Sequence, residues 1–257
     1  LLERVDPEDV KEVMSQVFEG VVAIVDRYEG CIERILGDGV LALFGAPIAH
    51  EDDAVRAIRA ALAIHKLVRE KGREFSERLG GHRLSMHTGV NSGLVVTGKV
   101  DLEHGRHGIA GDTINTAARM ADLAEADEIV AGPGTYRLAM GHIDFELGPS
   151  AHVKGKTRRI QIYRVRGPKL RPDSLPPPMG VRAALVGRQA ELHTMQNAYQ
   201  DMLAGQGSLI TLRGDAGTGK SRLLQEFKAA MSAEGAQWVE GRAYAYTQST
   251  PYYPLID

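Results

Sequence analysis

Residues 31–45 read CIERILGDGVLALFG. Two apolar stretches flank Gly37-Asp38-Gly39, and Asp-Gly between alternating hydrophobics is a strong short-range hairpin signal. The segment predicts two antiparallel strands with Asp38 at the tip. Two readings of Asp38 stay open: it forms the turn, or its carboxylate is held on a short rigid tip to meet a ligand. Upstream, Asp6-Pro7-Glu8-Asp9 supplies an N-cap, a proline at the first helical position and acids in the first turn. Val10, Val13, Val17, Val21, Ile24 and Tyr28 then recur every three or four residues, predicting an amphipathic helix that ends at Gly30. Downstream, His50-Glu51-Asp52-Asp53 opens a second helix, with Ala54, Ile58, Ala61, Leu62 and Leu67 on one stripe. Its acids suit a helix N-terminus better than a metal cluster.

Further along, RLSMHTGV and GLVVTGKV read as two strands around Asn91-Ser92-Gly93, a second hairpin. Gly111-Asp112 starts the helix TINTAARMADLAE. EIVAG, DFELG, AHVKG and IQIYRV are short strand candidates, with a helical turn over Thr135 to Met140. Interleaved helices and hairpins point to a mixed α+β sheet rather than a purely parallel one. Residues 166–180, RGPKLRPDSLPPPMG, hold five prolines and read as a stiff linker. After it come a helix near Ala190 to Leu203, the strand SLITLRG, a glycine-rich loop, a helix from Lys220 to about Ala233 and a strand in QWVEGRAY.

The totals narrow the function classes. The chain has 257 residues, 43% hydrophobic, with a formal net charge of -2. This balance gives no electrostatic footing for nucleic acid or an anionic membrane. A single cysteine, Cys31, excludes an internal disulfide framework and any multi-cysteine metal site, and fits a reducing, cytoplasmic compartment. No apolar run approaches the roughly 18 residues of a spanning helix. The opening LLERVDPEDV is acidic and quickly polar, unlike a signal peptide. The first residue is not Met and YYPLID ends without a breaker or polar tail, so the reading expects a fragment at both ends.

GDAGTGKS, Gly214 to Ser221, matches G-x-x-x-x-G-K-[ST]. Here Gly214, Asp215, Ala216, Gly217, Thr218 and Gly219 would turn backbone N–H groups onto phosphate oxygens at a helix N-terminus. Lys220 would reach the β/γ-phosphates, and Ser221 would hold Mg²⁺ through its hydroxyl. The acidic motif that usually completes such a site lies outside the sequence, so ATP binding is better supported than hydrolysis. Together with LVGRQAEL upstream, this loop resembles the nucleotide-binding module of AAA-like signal-transduction ATPases. The resemblance implies that the segment containing Arg188 lies near adenine and ribose.

ERILGDGVLALFGAPIAHEDDA, HTGVNSGLVVTGKV, GIAGDTINTAARM and VKGKTRRIQIYRV, in this order, resemble the class III nucleotidyl cyclases. That implies a ferredoxin-like α+β cyclase domain over residues 1–165, the linker over 166–180, and the start of an α/β P-loop NTPase domain over 181–257. It also implies a reaction in which the ribose 3′-hydroxyl attacks the α-phosphate and pyrophosphate leaves, with two divalent ions, Mg²⁺ or Mn²⁺. Asp38 falls on the family's second metal-binding Asp. Asn115 and Arg119 fall on its ribose-orienting Asn and transition-state Arg, and Lys156 on a lysine that meets the triphosphate. Family sites form between two copies, so a homodimer is implied.

Three departures from the family pattern accompany the match. The first metal Asp is missing; the family carries it on a central strand before the helix that begins here at Pro7, and truncation is the favoured reading. At the base-reading positions this chain has Arg34 and Gly108, where adenylate cyclases have Lys and Asp and guanylate cyclases tend to have Glu and a small polar residue. ATP is the expected substrate, ahead of GTP. The alternative reading is a catalytically dead cyclase-like domain that regulates or dimerises an ATP-switched signalling scaffold.

Overall fold

The structure, a computed structural model, describes residues 6–97, 109–151, 159–169, 185–215, 217–232, 236–241 and 243. Gly108, Lys156, Ala216, most of the Pro-rich stretch, and His104 and His107, which the sequence reads as loop histidines, lie outside the described residues. The chain divides into two compact units, with Leu1–Leu175 and Pro176–Arg242 forming their bulk.

In the first unit, α1 (Pro7–Arg27) starts as expected: Asp6 caps it by accepting the Glu8 N–H at 2.9 Å, and Pro7 occupies the first turn. Its buried seam is Val13, Val17, Val21 and Val25. The helix stops earlier than Gly30, because Glu29 takes a left-handed conformation (φ 57°). The seam packs on α2 (Asp53–Glu74), where Ile64 and Val68 carry the contact, with Phe75 and Leu79 beyond the helix end. The expected stripe residues Leu62 and Leu67 are only half-buried. Burying four valines against this face supplies on the order of 6 kcal/mol or more of hydrophobic stabilisation before entropy is counted.

Strands β1 (Cys31–Leu36) and β2 (Gly39–Leu43) form the expected antiparallel hairpin, with Leu36 opposite Gly39. The register slips between Ile32 and Arg34, a bulge that leaves Glu33 without a partner position. Ile32, Val40, Ala42 and Phe44 close over the valine seam. A buried Arg56 clamps the hairpin's flanks: its guanidinium pairs with Glu29 and, at 2.7 Å, with Asp52. The His50 N–H donates to Asp53 at 2.8 Å, fixing the chain that returns from the hairpin. The acids that open α2 therefore serve ion pairs more than a side-chain cap, which is absent at Asp52.

The remaining strands are β3 (Thr88–Val90), β4 (Val96–Thr97), β5 (Ile109–Ala110), β6 (Ile129–Ala131), β7 (Ile143–Ala151) and β8 (Ile160–Pro168). They correct the sequence reading in two places. β4 pairs with β5 rather than with β3, so Asn91-Ser92-Gly93 does not close a hairpin. DFELG and the start of AHVKG belong to one continuous strand, β7, which runs through Gly148 and Pro149 and pairs along β8 with two register shifts. The main sheet has the order β3-β6-β8-β7, with β3 and β6 parallel and the other pairs antiparallel, which is the mixed sheet expected. Helices α3 (Asp112–Leu123) and α4 (Pro133–Ala139) complete the unit.

Among the described residues, β2 pairs only with β1, and β3 only with β6. A cavity of about 400 Å³ lies between their free edges, walled by Val25, Leu41, Leu43, Ile64, Val90 and Ala117 among others.

The second unit packs α5 (Gln189–Leu203) on α6 (Lys220–Ser232) through Met195, Tyr199, Leu223, Phe227 and Met231. Neither SLITLRG nor the described part of QWVEGRAY forms a strand. A strand needs a ladder partner, and these segments find none among the described residues; Leu209 is 93% and Val239 95% exposed.

His65 gives a measurable consequence of the packing. Its ring is 2% exposed and lies 2.8 Å from Thr88 Oγ1, tying α2 to β3. Burial and the nearby Arg69 push its pKa from 6.5 to about 4. The native state thus keeps His65 neutral, whereas the unfolded chain protonates it below its ordinary value. Stability from this residue is complete above about pH 6.5 and falls as pH drops towards 4, by about 3 kcal/mol in all. In urea unfolding of the first unit, the wild type should lose about 2 kcal/mol more than His65→Gln between pH 7 and pH 4.5. Equal losses would show that His65 titrates normally.

Candidate active site and nucleotide-binding loop

The hairpin tip is the first element of the site. Its two central residues are Gly37 and Asp38, not Asp38 and Gly39, since Leu36 pairs with Gly39. Only Gly37 has positive φ (60°), the pattern of a type II′ turn with glycine at its first central position. Asp38 adopts no unusual φ, is exposed, and makes no hydrogen bond or ion pair among the described residues. The turn's conformational demand falls on Gly37, and the Asp38 carboxylate is left with both oxygens open. Arg34, just beyond the bulge, is likewise exposed and unpaired among the described residues.

The second element is α3. It lies directly on the backbone of β3: a Cβ at Gly89 would collide with the Ala117 carbonyl oxygen and the Ala121 nitrogen. Side-chain bonds fix both ends. Near the start, Asn91 Nδ2 donates to the Thr113 carbonyl at 3.1 Å, and Thr113 Oγ1 donates to the Leu94 carbonyl at 2.7 Å. Near the end, His87 Nδ1 bonds the Ala121 carbonyl at 2.7 Å. Thr116 and Met120 are buried, while Asn115 is exposed and Arg119 half-buried beside that buried stripe. Asn115 and Arg119 share one face four residues apart, and neither has a bonding partner among the described residues.

Asp38, Asn115 and Arg119 do not meet one another through any bond within this chain, and none of them lines the cavity between β2 and β3. Both elements nevertheless border it, β2 through Val40 to Leu43 and α3 through Thr113, Ile114 and Ala117. Among the described residues, no three His, Cys, Asp or Glu side chains converge as a metal site. An exposed carboxylate on a rigid tip suits a hard divalent cation, which takes one or two carboxylates and completes its shell with phosphate and water oxygens. Asp38 thus fits part of such a ligand set and not the whole. Cys31 is not a nucleophile candidate. Burial and Glu33 raise its pKa, and its Sγ sits 3.2 Å from the Ala46 carbonyl.

In the second unit, Gly217 and Gly219 hold φ of 79° and 87°, left-handed backbone that glycine adopts readily, just ahead of α6. Lys220, at the head of α6, turns back to donate to the Asp215 carbonyl at 2.7 Å. Thr218 Oγ1 donates to the same oxygen at 2.8 Å. Arg188 reaches the loop as well, donating from Nη1 to Glu191 at 2.7 Å and from Nη2 to the Thr218 carbonyl at 3.2 Å.

Several supporting residues carry no clear sequence signal. Asn91, Thr113 and His87 look like ordinary polar residues until the helix is seated on its strand. Gly89 did carry a signal, since a glycine in a strand pattern marks close backbone approach.

Comparison with known proteins sets these elements in a family. Residues 1–167 match the adenylate and guanylate cyclase catalytic domain, and residues 184–257 match an AAA ATPase domain. An uncharacterized protein of Rhizobium meliloti (strain 1021) is 30% identical over 233 residues, covering 89% of this chain and 22% of that protein. Adenylate cyclase 1 of the same organism is 27% identical over 165 residues, covering 63% of this chain and 24% of that protein. The chain thus spans less than a quarter of the length of these two relatives. The crystal structure of the guanylyl cyclase Cya2 superposes with a TM-score of 0.61 at 27% identity, covering 65% of this chain and 85% of that one. With its hairpin, its glycine-seated helix and its mixed sheet, the chain belongs to the class III adenylate and guanylate cyclase family, joined to an AAA-type ATPase domain.

Proposed function

We propose that residues 1–165 form a nucleotidyl cyclase domain that converts ATP, ahead of GTP, to the 3′,5′-cyclic nucleotide and pyrophosphate. Its site is shared between two copies of the chain, and residues 166–180 link it to an ATP-binding module over 181–257. The observation that carries this reading is Asp38: a carboxylate on a two-residue turn, relieved of the turn's positive φ by Gly37 and bound to nothing else described. Asp38 would hold a Mg²⁺ or Mn²⁺ ion, which when bound neutralises phosphate charge and favours the ionised 3′-hydroxyl.

The chain's own residues divide the remaining work. Asn115 orients the ribose so that its 3′-oxygen lies in line with the α-phosphorus. As that oxygen bonds to phosphorus, the bond to the oxygen bridging the α- and β-phosphates breaks, and the hydroxyl proton passes to solvent. The Arg119 fork, unpaired among the described residues, bonds the phosphoryl oxygens on which charge develops. Lys156 meets the triphosphate, and Arg34 and Gly108 border the base. A neutral carbonyl or ring nitrogen can accept from Arg34, while Gly108 has no side chain to accept from an exocyclic amine. Base discrimination is therefore expected to be weak.

The cavity between β2 and β3 supports a further part of this reading. Apolar walls and two free strand edges suit an extended segment that would join the two sheets. A strand supplied ahead of α1 would fill it and bring the family's first metal-binding Asp beside Asp38. Arg34 and Gly108, which depart from both cyclase patterns, favour a second reading, a cyclase-like module that no longer catalyses and serves a signalling scaffold.

The deciding assay uses protein extended by the coding sequence upstream of Leu1. It should form cyclic nucleotide from ATP with Mn²⁺ or Mg²⁺, and Asp38→Asn and Arg119→Ala should each lower the rate about 100-fold or more without altering thermal unfolding. No product from ATP or GTP would leave the scaffold reading standing. In the second unit, Lys220→Ala should abolish the nucleotide binding due to that unit, measured by calorimetry with ATP. Unchanged affinity would refute the phosphate-binding loop.

A further inference from the structure

The resemblance to AAA-like ATPases places the segment of Arg188 near adenine and ribose, but the geometry gives this side chain a different neighbour. Its guanidinium bridges the Glu191 carboxylate and the Thr218 carbonyl, 30 residues away in sequence. An i,i+3 pair with Glu191 alone would be an ordinary exposed ion pair of little weight. The bond to Thr218 is different, because Thr218 sits inside the loop between Gly217 and Gly219.

The orientation of the Thr218–Gly219 peptide is soft, since Gly219 tolerates a wide range of φ. In a planar trans peptide the C=O and the following N–H point in opposite directions. A donor that fixes the Thr218 carbonyl therefore also fixes where the Gly219 N–H points: away from Arg188. Loops of this kind hold phosphate oxygens on successive N–H groups at a helix N-terminus, and α6 begins at Lys220, the next residue. A planar fork held at one edge by Glu191 is well shaped to fix a carbonyl at the other.

We propose that Arg188 is a positioning residue for the phosphate-binding loop. By holding the Thr218 carbonyl, it presents the Gly219 N–H to the triphosphate of a bound nucleoside triphosphate, and Glu191 holds Arg188 in place. The proposal rests on reading residues 214–221 as a phosphate-binding loop. It assigns Arg188 an effect on phosphate affinity and none on affinity for the nucleoside.

The test measures ATP, inorganic tripolyphosphate and adenosine binding to the whole chain by calorimetry, counting only the component that Lys220→Ala removes for the two phosphate-bearing probes. Arg188→Ala should weaken ATP and tripolyphosphate by the same factor, about tenfold, and leave adenosine unchanged. Arg188→Lys, which keeps a donor for the carbonyl but loses the fork that also binds Glu191, should recover part of the lost tripolyphosphate affinity and remain weaker than wild type. Loss of adenosine binding with tripolyphosphate unaffected would place Arg188 at the nucleoside and overturn the proposal. So would unchanged binding of every probe by Arg188→Ala, or a lysine variant as weak as the alanine variant. If Lys220→Ala removes no ATP binding at all, the loop reading itself fails, an outcome distinct from all of these.

Discussion

The contact between α3 and β3 governs what the first unit can do. At Gly89 the helix backbone rests on the strand backbone with no room for a methyl group. This approach, with the Asn91, Thr113 and His87 bonds at the two ends, sets the rotation of α3 about its axis. The rotation in turn buries Thr116 and Met120, leaves Asn115 exposed and keeps Arg119 half-buried. An arginine presented this way costs the fold little in desolvation, and it remains open to an anion from outside the chain.

The hairpin meets the opposite demand, that of a rigid arm with a free end. Its strands are anchored on the valine seam of α1, and the Arg56 pairs with Glu29 and Asp52 brace the segments that enter and leave it. With Gly37 carrying the turn, Asp38 has no structural duty that an asparagine or serine would not meet. Two groups of opposite charge, one on the hairpin tip and one on α3, both unpaired among the described residues, fit a site completed by a second copy of the chain. In the proposed C₂ pair each tip would lie against the partner copy's helix face.

Much of this was legible in the sequence, and the limits have physical causes. Asp-Gly between apolar stretches gave the hairpin correctly, but the pair that turns is Gly37-Asp38. Both Gly-Asp and Asp-Gly satisfy turn chemistry, and only the register chooses between them. The helix start at Asp6-Pro7 was plain because capping is local. The second hairpin was misread: Asn91-Ser92-Gly93 has turn composition, yet β4 finds its partner in β5, a choice made by tertiary packing. SLITLRG has strand composition and no ladder among the described residues, since pairing depends on a neighbour that no local pattern specifies. The G-x-x-x-x-G-K-S spacing is visible in the sequence, whereas the Arg188 contact to Thr218 joins segments 30 residues apart and leaves no trace in either.

The central claim is that the hairpin carboxylate of one copy works with the α3 arginine of another. It is tested most directly by mixing two inactive variants of the upstream-extended protein, Asp38→Asn and Arg119→Ala, and measuring cyclic nucleotide formation. Random pairing puts both lesions into one site of each mixed dimer and leaves its other site intact. The mixture should therefore recover about a quarter of wild-type activity, while each variant alone stays inactive. A mixture as inactive as its components would contradict the account.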